Sequence, residues 1–186
     1  MKKLYFLLLL PFIACQTSSK HPDFDKNCEA VMTYINGFQN EDPYYDIYSK
    51  DLVVVRGTAY DAIDSTRLNQ IISNDRMGWA KYNFELITEP NLLPGVDPDT
   101  HEPNGSVRYY GTWKVTIEAT DSTPEASATI RLYESFDFDA EGKIVLQQYF
   151  GDGTGLFQHL NEVVASNSFT HEEEEAHDEH AGHDHD

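Results

Sequence analysis

Apolar and polar residues alternate with a period of two through most of the stretch from Ser106 to Asp152. Tyr109, Gly111, Trp113, Val115 and Ile117 fall on one face, with Arg108, Tyr110, Thr112, Lys114, Thr116 and Glu118 on the other. That is the pattern of a half-buried antiparallel strand. A second segment sets Ala128, Ile130, Leu132, Glu134, Phe136 and Phe138 against Thr129, Arg131, Tyr133, Ser135 and Asp137. A third, Lys143 to Phe150, puts Ile144, Leu146, Gln148 and Phe150 on one side. Turn signals at Asp121–Pro124 and Ala140–Gly142 make the three a meander of neighbouring strands. Glu134 is a carboxylate in a row that is otherwise apolar.

Upstream the period changes. From Cys28 to Gln39 an amphipathic helix is predicted, with Cys28, Val31, Met32, Ile35 and Phe38 in one stripe and Tyr34 at its edge. Cys28 reads as a small core residue. Pro43 is suited to open a short second helix, Pro43 to Ser49. Asp51 to Val55 follows as a strand apolar on both faces, which should be covered on both sides or lie centrally. Asp64 or Ser65 can cap a third helix starting at Thr66. Its shared face holds Leu68, Ile71, Ile72 and Trp79, and Asp75 falls in the middle of it. This second misplaced carboxylate points inward unless Ser73-Asn74-Asp75 ends the helix and turns it to water. Lys81 to Glu89 reads as a strand, with Tyr82, Phe84 and Leu86 on one face.

Pro90 to Gly105 is predicted as a long loop, either a lid or a decorated edge. Its Asp97, Asp99, His101 and Glu102 lack the calcium-loop spacing and read as solvated. Gly151 to Gly155 does not have the spacing of a nucleotide-binding fingerprint and leads into a last helix, Leu156 to Val164. His159 on it reads as an exposed helix residue. The fold class is α+β, with helices covering one face of a mostly antiparallel sheet.

The ends of the chain change this picture. Residues 1–15 form a targeting segment: Lys2 and Lys3, an apolar run from Leu4 to Ile13, then Ala14-Cys15. Phe12-Ile13-Ala14-Cys15 resembles a bacterial lipobox, which makes Cys15 the lipidated N-terminus of the mature protein. The expected location is the bacterial cell envelope, on the outer membrane or cell surface rather than the inner membrane. Residues 16–26 read as a polar tether, 27–166 as one domain and 167–186 as a disordered tail. The chain has 32 acidic and 13 basic residues. That excess argues against nucleic acid as a partner and limits membrane contact to the lipid anchor. Two cysteines give no disulfide framework. His171, His177, His180, His183 and His185, interleaved with carboxylates, suit loose coordination of Zn, Ni or Cu by the tail. No cofactor is expected in the folded domain.

The order helix, helix, strand, helix, strand, loop, meander resembles the nuclear-transport-factor-2-like superfamily, in its SnoaL-like branch. The carrying residues are Asp51-Leu52-Val53, Gly111-Thr112-Trp113, Phe136-Asp137-Phe138-Asp139 with Gly142-Lys143-Ile144, and Tyr149-Phe150 with Asp152. The resemblance covers Asn27 to Ala165 and implies a cone: a curved sheet wrapped around helices, open to a pocket at one end. Relatives include isomerases, dehydratases, polyketide cyclases and non-catalytic binding modules, and homodimers are common among them. The resemblance suggests Tyr34, in the first helix, as the counterpart of the ketosteroid isomerase branch's donor Tyr; no residue matches that enzyme's base or its oxyanion Asp. The leading expectation is a pocket for a small, partly apolar molecule, lined by Trp79, Trp113, Tyr109 and Gln148. The alternatives are a lyase or isomerase moving a proton through Glu134 or Asp75 with Tyr34 as donor, and metal scavenging by the tail.

Overall fold

The computed structural model describes residues 20–56, 64–121 and 123–179, and side chains within 20–51, 66–121 and 123–166. Cys15 and the leader, His180, His183 and His185, and the side chains of His171 and His177 therefore lie outside the described residues. The elements are α1 (Phe24–Asn40), a 3₁₀ turn (Tyr45–Ile47), β1 (Tyr48–Arg56), β2 (Asp64–Thr66), α2 (Leu68–Trp79), β3 (Asn83–Leu86), β4 (Asn91–Val96), β5 (Pro103–Ile117), β6 (Ala126–Phe138), β7 (Ile144–Phe150) and α3 (Gly153–Glu179).

One curled sheet runs β2-β1-β7-β6-β5-β3, and β4 also pairs with β5. Long β5 gives its second half to β3 (Leu86 opposite Trp113) and its first half to β4 (Asn91 opposite Tyr110). The meander β5-β6-β7 is antiparallel as predicted; among the described residues only the pairing of β1 with β7 is parallel. Helix α1 lies on the inner face because its stripe demands it. Val31 and Ile35 are fully buried, each worth about 1.5–3 kcal/mol of apolar transfer. They meet Val107, Tyr109, Trp113 and Phe136 from the sheet. A second cluster joins Val115, Ile117 and Ala126 to Leu160 of α3.

Several boundaries differ from the sequence reading. The predicted helix Pro43–Ser49 is only the 3₁₀ turn, since Tyr48 is already paired with Ile144 and so few residues cannot sustain a helix. β1 starts at that Tyr48 and lies between β2 and β7. α2 begins at Leu68, because Asp64–Thr66 is drawn into pairing with β1; Gln70 Oε1 then accepts the Arg67 N–H at the helix start. α2 continues through Asp75 to Trp79, so Asp75 is not turned out by a helix end. The third strand is shorter than Lys81–Glu89. The predicted loop Pro90–Gly105 is mostly a hairpin of β4 and the start of β5. Asp97 folds its tip by accepting the N–H groups of Asp99 and Thr100. α3 takes in more than Leu156–Val164, its backbone running to Glu179.

Two glycines permit tight backbone geometry around the core. A Cβ on Gly37 would lie 2.7 Å from Tyr44 Cβ, so glycine lets the chain leaving α1 fold Tyr44 back against the helix. Gly142, at φ +81°, closes the β6–β7 turn together with Asp139, whose carboxylate accepts the N–H groups of Glu141 and Lys143.

Candidate functional site

The sheet's inner face and α1, α2 and the start of α3 enclose a cavity of about 300 Å³. Its walls are mainly apolar, with Phe38, Phe84, Trp113, Ile130, Leu132 and Leu156 among them, and both misplaced carboxylates line it. Glu134 comes from the middle of β6, between its cross-strand partners Tyr109 and Tyr149. It is 2% exposed. Gln147 Nε2 donates to Glu134 Oε2 at 2.7 Å, and Tyr34 Oη donates to Oε1 at 3.4 Å. Behind Gln147, Tyr48 Oη donates to its Oε1 at 2.7 Å. Asp75 comes from α2, where Tyr44 Oη reaches its Oδ2 at 2.7 Å and Tyr45 Oη the same oxygen at 3.2 Å.

Burial sets the electrostatics. Desolvation pushes the Glu134 carboxyl up to about 7, and the donors Gln147 and Tyr34 only partly offset it. Desolvation also drives the hydroxyls of Tyr34, Tyr44 and Tyr48 well above the ordinary tyrosine value, with Glu134 or its neighbours adding to it. All three are fixed as neutral donors. The arrangement offers a carboxyl group that exchanges a proton near neutral pH in a mainly apolar pocket, beside a phenol that stays protonated.

The predicted site residues are partly brought together. Glu134, Asp75, Tyr34 and Trp113 all line the cavity. Trp79 is outside the lining: its indole packs on Phe38 and its Nε1 donates to the Phe38 carbonyl at 3.0 Å. Tyr109 is fully buried in the core beside Glu134 and outside the lining, its ring folded over Gly111. Gln148 is on the other side of the sheet, where Ser135 Oγ donates to it at 3.3 Å. The reason is a bulge: Phe138 pairs with Ile144 but Asp137 with Leu146, so Val145 is an extra residue and the faces exchange after it. Gln147 and Tyr149 consequently face inward in place of Gln148. Tyr44, Tyr48 and Gln147 were missed by sequence reasoning; the run Tyr44-Tyr45-x-x-Tyr48 was a signal for the two tyrosines, and Gln147 had none. Among the described residues no three His, Cys, Asp or Glu side chains are grouped to hold a metal.

No protein-family model matches the chain, and no curated protein matches it. Solved structures do. A phenazine biosynthesis-related protein from Pseudomonas aeruginosa is similar over 75% of this chain and 83% of its own, at 16% identity and a TM-score of 0.56. A nuclear-transport-factor-2-like protein from Burkholderia xenovorans aligns over 74% and 97%, at 8% identity and 0.55. A putative SnoaL-like polyketide cyclase from Shewanella denitrificans aligns over 77% and 99%, at 12% identity and 0.54. At such identities the likeness is one of fold. The chain has the nuclear-transport-factor-2-like fold.

Proposed function

We propose that the cone binds a small, partly apolar molecule and that Glu134 moves a proton on or off it, in the manner of a lyase or isomerase. The observation carrying this reading is the buried Glu134 carboxyl at a cavity wall, pushed up to about 7 with the neutral Tyr34 hydroxyl beside it. A carboxyl that titrates near the working pH is matched to general acid–base work. Tyr34 would donate to an oxygen on which negative charge develops. The putative polyketide cyclase among the structural neighbours is compatible with small-molecule work but adds fold-level analogy only. The test uses cyclohex-2-enone as probe, with deuterium uptake from heavy water followed by NMR. Uptake above the buffer rate, lost in Glu134→Gln, is expected; binding without exchange would leave a carrier, and neither would end the reading.

The same proposal includes export, with Cys15 as the lipid attachment point and the tail histidines as a loose trap for divalent metal. Wild-type protein should partition into detergent and Cys15→Ser into water. Deleting 171–186 should abolish retention on immobilised nickel.

A further inference from the structure

The Glu134 carboxylate is held by an amide with two unlike ends. Gln147 can offer N–H₂, which favours a carboxylate, or its carbonyl oxygen, which favours a protonated carboxyl; a flip interchanges them. In the observed arrangement Nε2 faces Glu134 at 2.7 Å and Oε1 faces Tyr48 at 2.7 Å. Tyr48 is 5% exposed, and its hydroxyl stays protonated because burial drives its ionisation far up. It therefore keeps its proton, which Gln147 Oε1 accepts in this arrangement. We propose that Tyr48 and Gln147 are positioning residues: by donating to Gln147 Oε1, the Tyr48 hydroxyl holds the amide with its N–H₂ toward Glu134 and favours the ionised carboxylate.

The other groups facing Glu134 leave the task to this pair. Tyr34 of α1 is a long donor at 3.4 Å, Tyr109 of β5 and Tyr149 of β7 flank it across the strands, and Asp75 of α2 faces it across the cavity. Among the described residues lining the cavity there is no Lys, Arg or His. Charge on the carboxylate is thus supported by hydrogen-bond donors, of which Gln147 is the shortest. The inference deepens the reading of Glu134 as the proton-transfer group, and rests on that reading for its use in catalysis. Its test needs neither ligand nor turnover, so the two can fail separately: a pocket that exchanges no proton with cyclohexenone leaves the titration intact, and a flat titration leaves turnover unexplained rather than absent.

The experiment is a pH titration of the full chain, labelled with carbon-13 and nitrogen-15, with the Glu134 carboxyl signal assigned by its loss in Glu134→Gln. In Tyr48→Phe the amide is free to turn, and the Glu134 midpoint should rise by about one pH unit, the equivalent of one hydrogen bond. Tyr133→Phe, on the opposite side of the sheet, should leave the midpoint in place. Should Tyr48→Phe not fold, the wild type still decides: the Gln147 side-chain amide signals must shift with the same midpoint as Glu134. A midpoint unmoved or lowered in folded Tyr48→Phe, or Gln147 amide signals flat through the Glu134 transition, would overturn the proposal.

Discussion

Glu134 combines two demands that oppose each other: the strand pattern buries it, and ionisation calls for water. Its carboxyl titrates near 7 in the fold against about 4.3 in an unfolded chain. The native state then holds a proton that the unfolded state has released, so stability is full below the unfolded value and is lost as pH rises through 7. The size of the effect is about 3 kcal/mol between pH 5 and 8. Glu134→Gln removes it. Urea unfolding at both pH values should therefore show the variant gaining about that much on the wild type as pH rises; parallel pH profiles would refute the burial argument. Gly111→Ala is the sterically determined counterpart. An added Cβ would meet Tyr109 Cζ at 2.6 Å, forcing a fully buried ring aside at a cost of about 1–3 kcal/mol, readable in the same denaturant series. Glu134, Asp75 and Tyr34 were legible because each breaks or borders an apolar row. Tyr109 and Trp79 were legible only as inward-facing: nothing in the spacing says that a ring will fold over a neighbouring glycine, or that an indole will take a backbone carbonyl.

At the scale of elements, the meander and α1 follow from periodicity, while the junctions do not. Val145 shows why. One extra residue in β7 exchanges its faces, so Gln147 rather than Gln148 reaches Glu134, and a strict period of two has no means of marking it. The hairpin of β4 and β5 was similarly hidden, since Pro94 and Gly95 read as loop while the pairing with long β5 carries the strand. Asp75 is the tie between α2 and the 3₁₀ turn. Asp75→Ala leaves the hydroxyl of Tyr44, a residue only 4% exposed, without its 2.7 Å acceptor. The loss should be about 1–3 kcal/mol, and smaller in Asp75→Asn, which retains an acceptor oxygen. Equal losses in the two variants would show that Asp75 acts through its charge instead.

At the scale of the molecule, the described residues build a hollow from three parts: a curled sheet, the helices laid on its inner face, and the start of α3. The last of these is held in place by Asp152, whose carboxylate accepts the Gly155 N–H at 2.8 Å and whose carbonyl accepts that of Leu156 at 3.0 Å. Phe157 packs tilted against Tyr82 with ring centroids 4.7 Å apart, so the start of α3 is held from both sides while Leu156 faces the cavity. A larger side chain there should fill space the fold leaves empty without disturbing the elements around it. Leu156→Trp is thus expected to weaken binding of the neutral dye N-phenyl-1-naphthylamine by about tenfold or more, with the thermal midpoint within a few degrees of the wild type. The dye separates the cavity from a second place where an apolar molecule could lodge, because Tyr110, Tyr133 and Phe150 form an aromatic row on the outer side of the sheet. Undiminished dye fluorescence in folded Leu156→Trp, abolished instead by Phe150→Ser, would move the binding site from the cone to that outer row and take Glu134 out of contact with any ligand.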